Sequence, residues 1–120
     1  MPSEEGLERS GRIQRESEYK QVIRKGRLIT GKTFKAYFLI SKGLSLKAGF
    51  IAGRRVGNAC VRNRAKRLLK ESYRKLKTNL PGRGFRVVFV ANRGTPVATL
   101  DDIRNEMAWM FERCGLLGAA

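Results

Sequence analysis

The chain has 120 residues, enough for one domain around a single modest core, and its 42% apolar content argues against wholesale disorder. Lys and Arg number 26 against 10 Asp and Glu, which gives a net charge of +16 and a pI of about 11.0. Such self-repulsion calls for a polyanion, nucleic acid ahead of an anionic membrane surface. The absence of any histidine removes imidazole base catalysis, Ser/His and Cys/His nucleophiles and zinc–imidazole sites.

In chain order, residues 1–11 are polar and acidic at first (Met1-Pro2-Ser3-Glu4-Glu5-Gly6) and read as a flexible tail. They lack the basic-then-apolar pattern of a secretory signal, and no apolar run approaches the roughly 18–20 residues that span a bilayer. A cytoplasmic protein is expected, with no membrane partner and one α+β domain over residues 12–117. Tyr19, Val22 and Ile23 at i, i+3, i+4 predict a helix over residues 17–25, stopped by Gly26. Residues 33–40 alternate, with Phe34, Ala36, Phe38 and Ile40 on one face and Lys35, Tyr37 and Leu39 on the other. Ser41-Lys42-Gly43 reads as a turn, and residues 47–56 as a strand antiparallel to the last.

Gly57-Asn58 then breaks the strand, and a long helix is expected over residues 59–77. At roughly 100° per residue, Val61, Ala65, Leu68, Leu69, Ser72, Tyr73 and Leu76 share one arc and basic residues fill the rest. Residues 85–91 are almost continuously apolar, as in a central strand covered on both faces. A last helix over residues 100–114 places Ile103, Met107, Met110 and Cys114 on its core side. Thr99 caps it, with Asp102 reaching back, and Trp109 lies off the stripe, where packing on a loop is expected ahead of a functional role. Cys60 and Cys114 read as small buried apolar residues. The order helix, strands, helix, strand, helix predicts an α+β two-layer sandwich with a βαβ crossover.

The densest feature is Arg54-Arg55-Val56-Gly57-Asn58-Ala59-Cys60-Val61-Arg62-Asn63-Arg64-Ala65-Lys66-Arg67. From residue 54 to 77 there are ten basic residues and one acid, Glu71. Arg offers a planar fork of donors to phosphate oxygens, and a helix start adds free N–H groups and a positive dipole end. A merely solvated face would intersperse Glu for i, i+4 pairing, and only Glu71 is present. Nucleic-acid binding without chemistry is the reading of this run. A ribosomal or RNA-chaperone protein would share these traits, and a DNA-binding protein could lay the helix in a major groove.

Gly57, Ala59, Val61, Arg62-Asn63-Arg64, Lys66-Arg67, Leu69, Glu71 and Tyr73-Arg74 resemble the signature of the bacterial ribonuclease P protein family. Tyr19, Val22, Ile23 and Gly26 with Phe34 and Tyr37, and the strand Val87-Val88-Phe89-Val90-Ala91, are weaker matches in the same order. Arg86 stands where the family often has an acid, Gly53-Arg54 where it has a small polar and a basic residue, and Ile23 where it has an aromatic.

The resemblance implies a left-handed crossover and a subunit of the endoribonuclease that matures the 5′ end of tRNA. The RNA subunit would supply catalysis with Mg²⁺, and the protein would hold no intrinsic cofactor. It further implies docking on the catalytic RNA through Arg54, Arg55, Arg62, Asn63, Arg64, Lys66, Arg67, Lys70 and Arg74. The single-stranded leader of precursor tRNA would lie on Arg12, Arg15, Tyr19, Ile23, Lys35 and Tyr37. No catalytic residue is expected in the chain, and metal sites on the protein are left open.

Overall fold

The expected first helix forms as α1 (Glu16–Lys25), with acids in its first turn and Arg24 and Lys25 in its last, both favourable to the helix dipole. Gly26 stops it by donating its N–H to the Val22 carbonyl at 2.7 Å. A Cβ there would sit 2.5 Å from that carbonyl oxygen, so the close turn into the sheet needs glycine. The computed structural model describes residues 11–117, and the expected tail falls almost wholly outside them.

After α1 come β1 (Arg27–Thr30), β2 (Phe34–Ser45), β3 (Lys47–Ile51), a 3₁₀ turn (Arg54–Val56), α2 (Ala59–Lys77), β4 (Arg83–Ala91) and α3 (Leu100–Arg113). The four strands form one sheet in the order β1-β2-β4-β3. β2 is antiparallel to both neighbours, while β3 and β4 are parallel and joined by α2, so the expected crossover is present.

Several local expectations are corrected. Residues 47–56 are not one strand antiparallel to its predecessor: β3 ends at Ile51, and β4 lies between β2 and β3. Period-2 alternation gives the faces of a strand but not its neighbour, and the crossover puts the later strand in the middle. Ser41-Lys42-Gly43 is not a turn, because β2 continues to Ser45 and regains β4 at Ser45 opposite Arg83 after an irregularity. Gly43, at φ 88°, supplies the break in alternation. β1 was absent from the sequence reading, being four residues directly behind a helix end. Ile40 is 49% exposed, and Cys60 is exposed rather than buried. Thr99 caps α3 by accepting the Asp102 N–H at 3.0 Å, without a return bond from the Asp102 carboxylate.

α2 and α3 cover one face of the sheet. Phe34, Phe38, Phe85 and Phe89 from the strands meet Tyr73 of α2 and Phe111 of α3, all at most 2% exposed. Phe89 is central: its ring packs on Phe34, Phe50, Tyr73 and Phe111 with centroids 5.5–6.2 Å apart. The stripe Ile103, Met107, Met110 on α3 is buried as its spacing requires, joined by Phe111. These are the two full layers of the sandwich. α1 covers part of the opposite face, where Val22 and Val88 are buried together with Ile13. Residue 13 is held there because its N–H donates to the Ala48 carbonyl at 3.0 Å, so the chain ahead of α1 runs alongside the β3 edge. That contact covers the β3 edge at Ala48, where an open strand edge could otherwise pair with another chain.

Candidate nucleic-acid interface

The entrance to α2 is shaped by two residues. Gly57 has φ 152°, and a Cβ on it would lie 2.7 Å from the Val61 side chain, so only glycine allows this approach. Asn58 follows as the N-cap, its Oδ1 accepting the Val61 N–H at 3.0 Å. The result is a helix start flanked by Arg54 and Arg55, with no acid in the first turn. α1 and α3 each place two acids there, so α2 alone leaves the positive end of its dipole uncompensated by its own carboxylates.

The nine predicted docking residues are not equivalent. Arg54, Arg55, Asn63, Arg64, Arg67 and Lys70 are exposed; Arg62, Lys66 and Arg74 are half-buried. Arg74 is ion-paired with Glu71 and so partly neutralised. Lys70 lies over the Phe50 ring at 6.0 Å, and burial, then Lys66 and Arg12, lowers its pKa. Arg62 and Arg64 leave the helix about 160° apart at roughly 100° per residue. Arg64 and Arg67 have no acidic partner among the described residues.

The other predicted set divides. Lys35 and Tyr37 sit on the α1 face of β2, with the Lys35 ammonium 5.9 Å from the Tyr37 ring centre. Tyr37 lies in a row across the sheet with Leu28, Val88 and Gly49. Ile23 and Tyr19 are half-buried against Val22 and Val88. Tyr19 lies directly on Gly49, where a Cβ would come within 2.5 Å of its ring. Arg15 is exposed at the start of α1. Arg12 lies between the two sets: it lines a pocket on the β3 edge with Tyr19 of the leader set and with Lys66 and Lys70 of α2.

The two sets meet in one groove of about 900 Å³ at the C-terminal ends of β3 and β4. Its walls carry Lys35 from the sheet, Arg54 and Arg55 from the turn before α2, and two cations that the sequence did not single out, Lys32 and Arg93. Arg93 is fixed by donating Nε–H to the Arg55 carbonyl at 3.2 Å. No local signal marks Lys32 or Arg93, since each is one basic residue in a loop, brought here by the β1–β2 and β4–α3 connections.

α1 is itself fixed by Glu18, another residue outside the sequence reading. Its carboxylate accepts from Lys47 Nζ at 2.7 Å and from the Gln14 and Arg15 N–H groups at 3.2 and 3.3 Å, and Arg86 lies 3.9 Å away. The Lys47 bond, with help from the backbone bonds and against the cost of burial, lowers its pKa to about 2. Arg86, the departure from the family pattern, thus joins Lys47 in tying α1 to the sheet.

The fold and site define a class: a small basic α+β protein with cationic surfaces suited to a phosphate backbone. The model of the Ribonuclease P family matches residues 7–115. The chain is 36% identical over 110 residues to the ribonuclease P protein component of Caldanaerobacter subterraneus subsp. tengcongensis, covering 91% of this chain and 93% of that one. It is 28% identical over 115 residues to that of Brevibacillus brevis, covering 95% and 90%. The Staphylococcus aureus RNase P protein structure superposes with a TM-score of 0.76 over 90% of this chain and 98% of that one, at 19% identity. The Thermotoga maritima protein gives 0.72 over 85% and 96%, at 20% identity. The chain belongs to the ribonuclease P protein family, the protein component of the endoribonuclease that processes the 5′ end of tRNA. No helix among the described residues is long and apolar enough to cross a membrane.

Proposed function

We propose that this chain holds two stretches of RNA at once: the catalytic RNA subunit along the α2 cations, and the single-stranded 5′ leader of precursor tRNA on the sheet face beside α1. The observation that carries this reading is the shared groove, in which Lys35 of the sheet and Arg54 and Arg55 of the α2 entrance line one basic channel. An RNA strand leaving the sheet face meets the cations that lead into α2 along a wall that carries no acid, with Ile51, Val56 and Val90 between the charges. Exposed Arg64 and Arg67 are free to take phosphates, and Tyr37 offers a ring for stacking, which tolerates any base and so suits many leaders.

The divalent metal that cleavage requires is assigned to the RNA. Among the described residues no three His, Cys, Asp or Glu side chains come together to hold an ion. The protein's contribution is to bind and orient, with proton and metal chemistry left to its partner. The cytoplasm, where tRNA precursors are made, is the compartment this reading assigns.

The test is the salt dependence of assembly with the RNA subunit. Each phosphate contact contributes about 0.7–0.9 to the slope of log affinity against log salt. Replacing Arg64 and Arg67 together by Ala is expected to flatten the slope by about 1.4–1.8, with circular dichroism unchanged. Arg74→Ala is expected to move it less, because Glu71 already engages that guanidinium. An unchanged slope in the double variant contradicts the docking assignment.

A further inference from the structure

Trp109 is the only tryptophan in the chain and is 42% exposed, on the side of α3 away from the core. It lines a pocket of about 510 Å³ with Thr30, Gly31, Lys32, Asn105 and Glu106. The Arg113 guanidinium, which is not part of that lining, lies 5.2 Å from the ring centre and holds the indole in place. The floor is rigid: Glu106 accepts the Lys32 and Thr33 N–H groups at 2.6 and 2.9 Å and the Thr33 hydroxyl. Gly31 leaves the space, since a Cβ there would lie 2.6 Å from the Glu106 carboxyl carbon.

Three observations say what fits. The pocket lies next to the basic groove, since Lys32 lines both. An indole, a carboxamide at Asn105 and an ammonium at Lys32 are the groups that stack on a base, read its edge and neutralise its phosphate. α3 carries four acids against two arginines, so a duplex backbone along it is disfavoured while one inserted base is not. We propose that Trp109 and Asn105 form a stacking pocket for one unpaired nucleobase of the precursor leader, reached by the strand after it passes Lys32. This rests on the leader reading above and extends its track from Tyr37 around the β1–β2 turn.

The lone tryptophan makes the test direct. Indole emission of the assembled holoenzyme is followed while precursor tRNA with a long leader, or with a single-nucleotide leader, is added. Quenching by the long leader only is expected. Trp109→Ala should weaken binding of the long-leader precursor about 5- to 150-fold and leave the short-leader precursor unchanged, while Trp109→Phe should keep most of the affinity. If neither precursor moves the emission while Tyr37→Ala still weakens the long-leader complex, the pocket assignment is wrong and the leader reading stands. If Tyr37→Ala is also silent, the leader reading falls with it. Quenching on assembly with the RNA subunit alone, or loss of assembly in Trp109→Ala, would place an RNA-subunit base or a packing contact there and overturn the proposal.

Discussion

The two faces of the sheet are built from alternate residues of the same strands, yet they are finished differently. Phe89 points into a cluster sealed by two long helices, and its neighbour Val88 into a small one roofed by the ten residues of α1. On the first face five phenylalanines of the strands are buried among Ile29, Val87 and three alanines. On the second, Lys35, Tyr37, Ile51 and Val90 stay partly accessible. Stability is thereby concentrated on one side, which leaves the other free to keep rings and charges at the surface. A sheet with both faces sealed would leave no strand side chain open to a ligand.

The largest expected effect breaks the sealed face. Phe89→Ala removes a ring in contact with four others and should cost about 3–5 kcal/mol of folding stability, read by chemical denaturation. Against a typical domain stability of about 5–15 kcal/mol, that leaves a marginal fold. If the loss were below about 1 kcal/mol, the division of labour between the faces would not hold.

Tyr37→Ala addresses the open face. It should weaken binding of a long-leader precursor by about 1–3 kcal/mol while assembly with the RNA subunit is nearly unchanged. Equal losses for long and single-nucleotide leaders would make Tyr37 a packing residue. The smallest expected effect concerns the roof. Glu18 has a pKa lowered to about 2 from an ordinary 4.5, chiefly by Lys47. Its stabilising contribution is therefore complete above pH 4.5 and fades as pH falls toward 2. Glu18→Gln should lose on the order of 1–2 kcal/mol at neutral pH, with the difference from wild type closing over that acid window. A difference independent of pH would mean that the carboxylate charge does not hold α1.

Much of the sealed face was legible in the sequence, because burial there follows simple periods. The 3.6-residue split of α2, the stripe on α3 and the continuous apolar run of β4 each come from one segment read alone. The open face depends on register. Tyr19 rests on Gly49 thirty residues away, and Glu18 meets Lys47 and Arg86, pairings that exist only once β3 and β4 are aligned. The path along β3 brings Arg12 beside Tyr19, Lys66 and Lys70 at once, a neighbourhood that no local spacing shows. The basic run was legible as charge, whereas the inequality of its members was not. Arg74 paired to Glu71, at i, i+3, is the one case that spacing could have revealed.

The strand order β1-β2-β4-β3 has a consequence for synthesis. The strand in the middle of the sheet is the last to be made. A nascent chain that has emerged only to residue 82 holds β2 and β3 with no strand to join them, and α2 with no floor to bury Leu69 and Tyr73. Completion must wait for β4, whose pairs with β2 link residues about fifty positions apart, the kind of distant pairing that slows folding. In that interval the ten basic residues of the α2 region belong to an unfinished domain. The nine residues of β4 join β2 to β3 and give α2 its floor, and α3, the last helix to be made, then closes the same face.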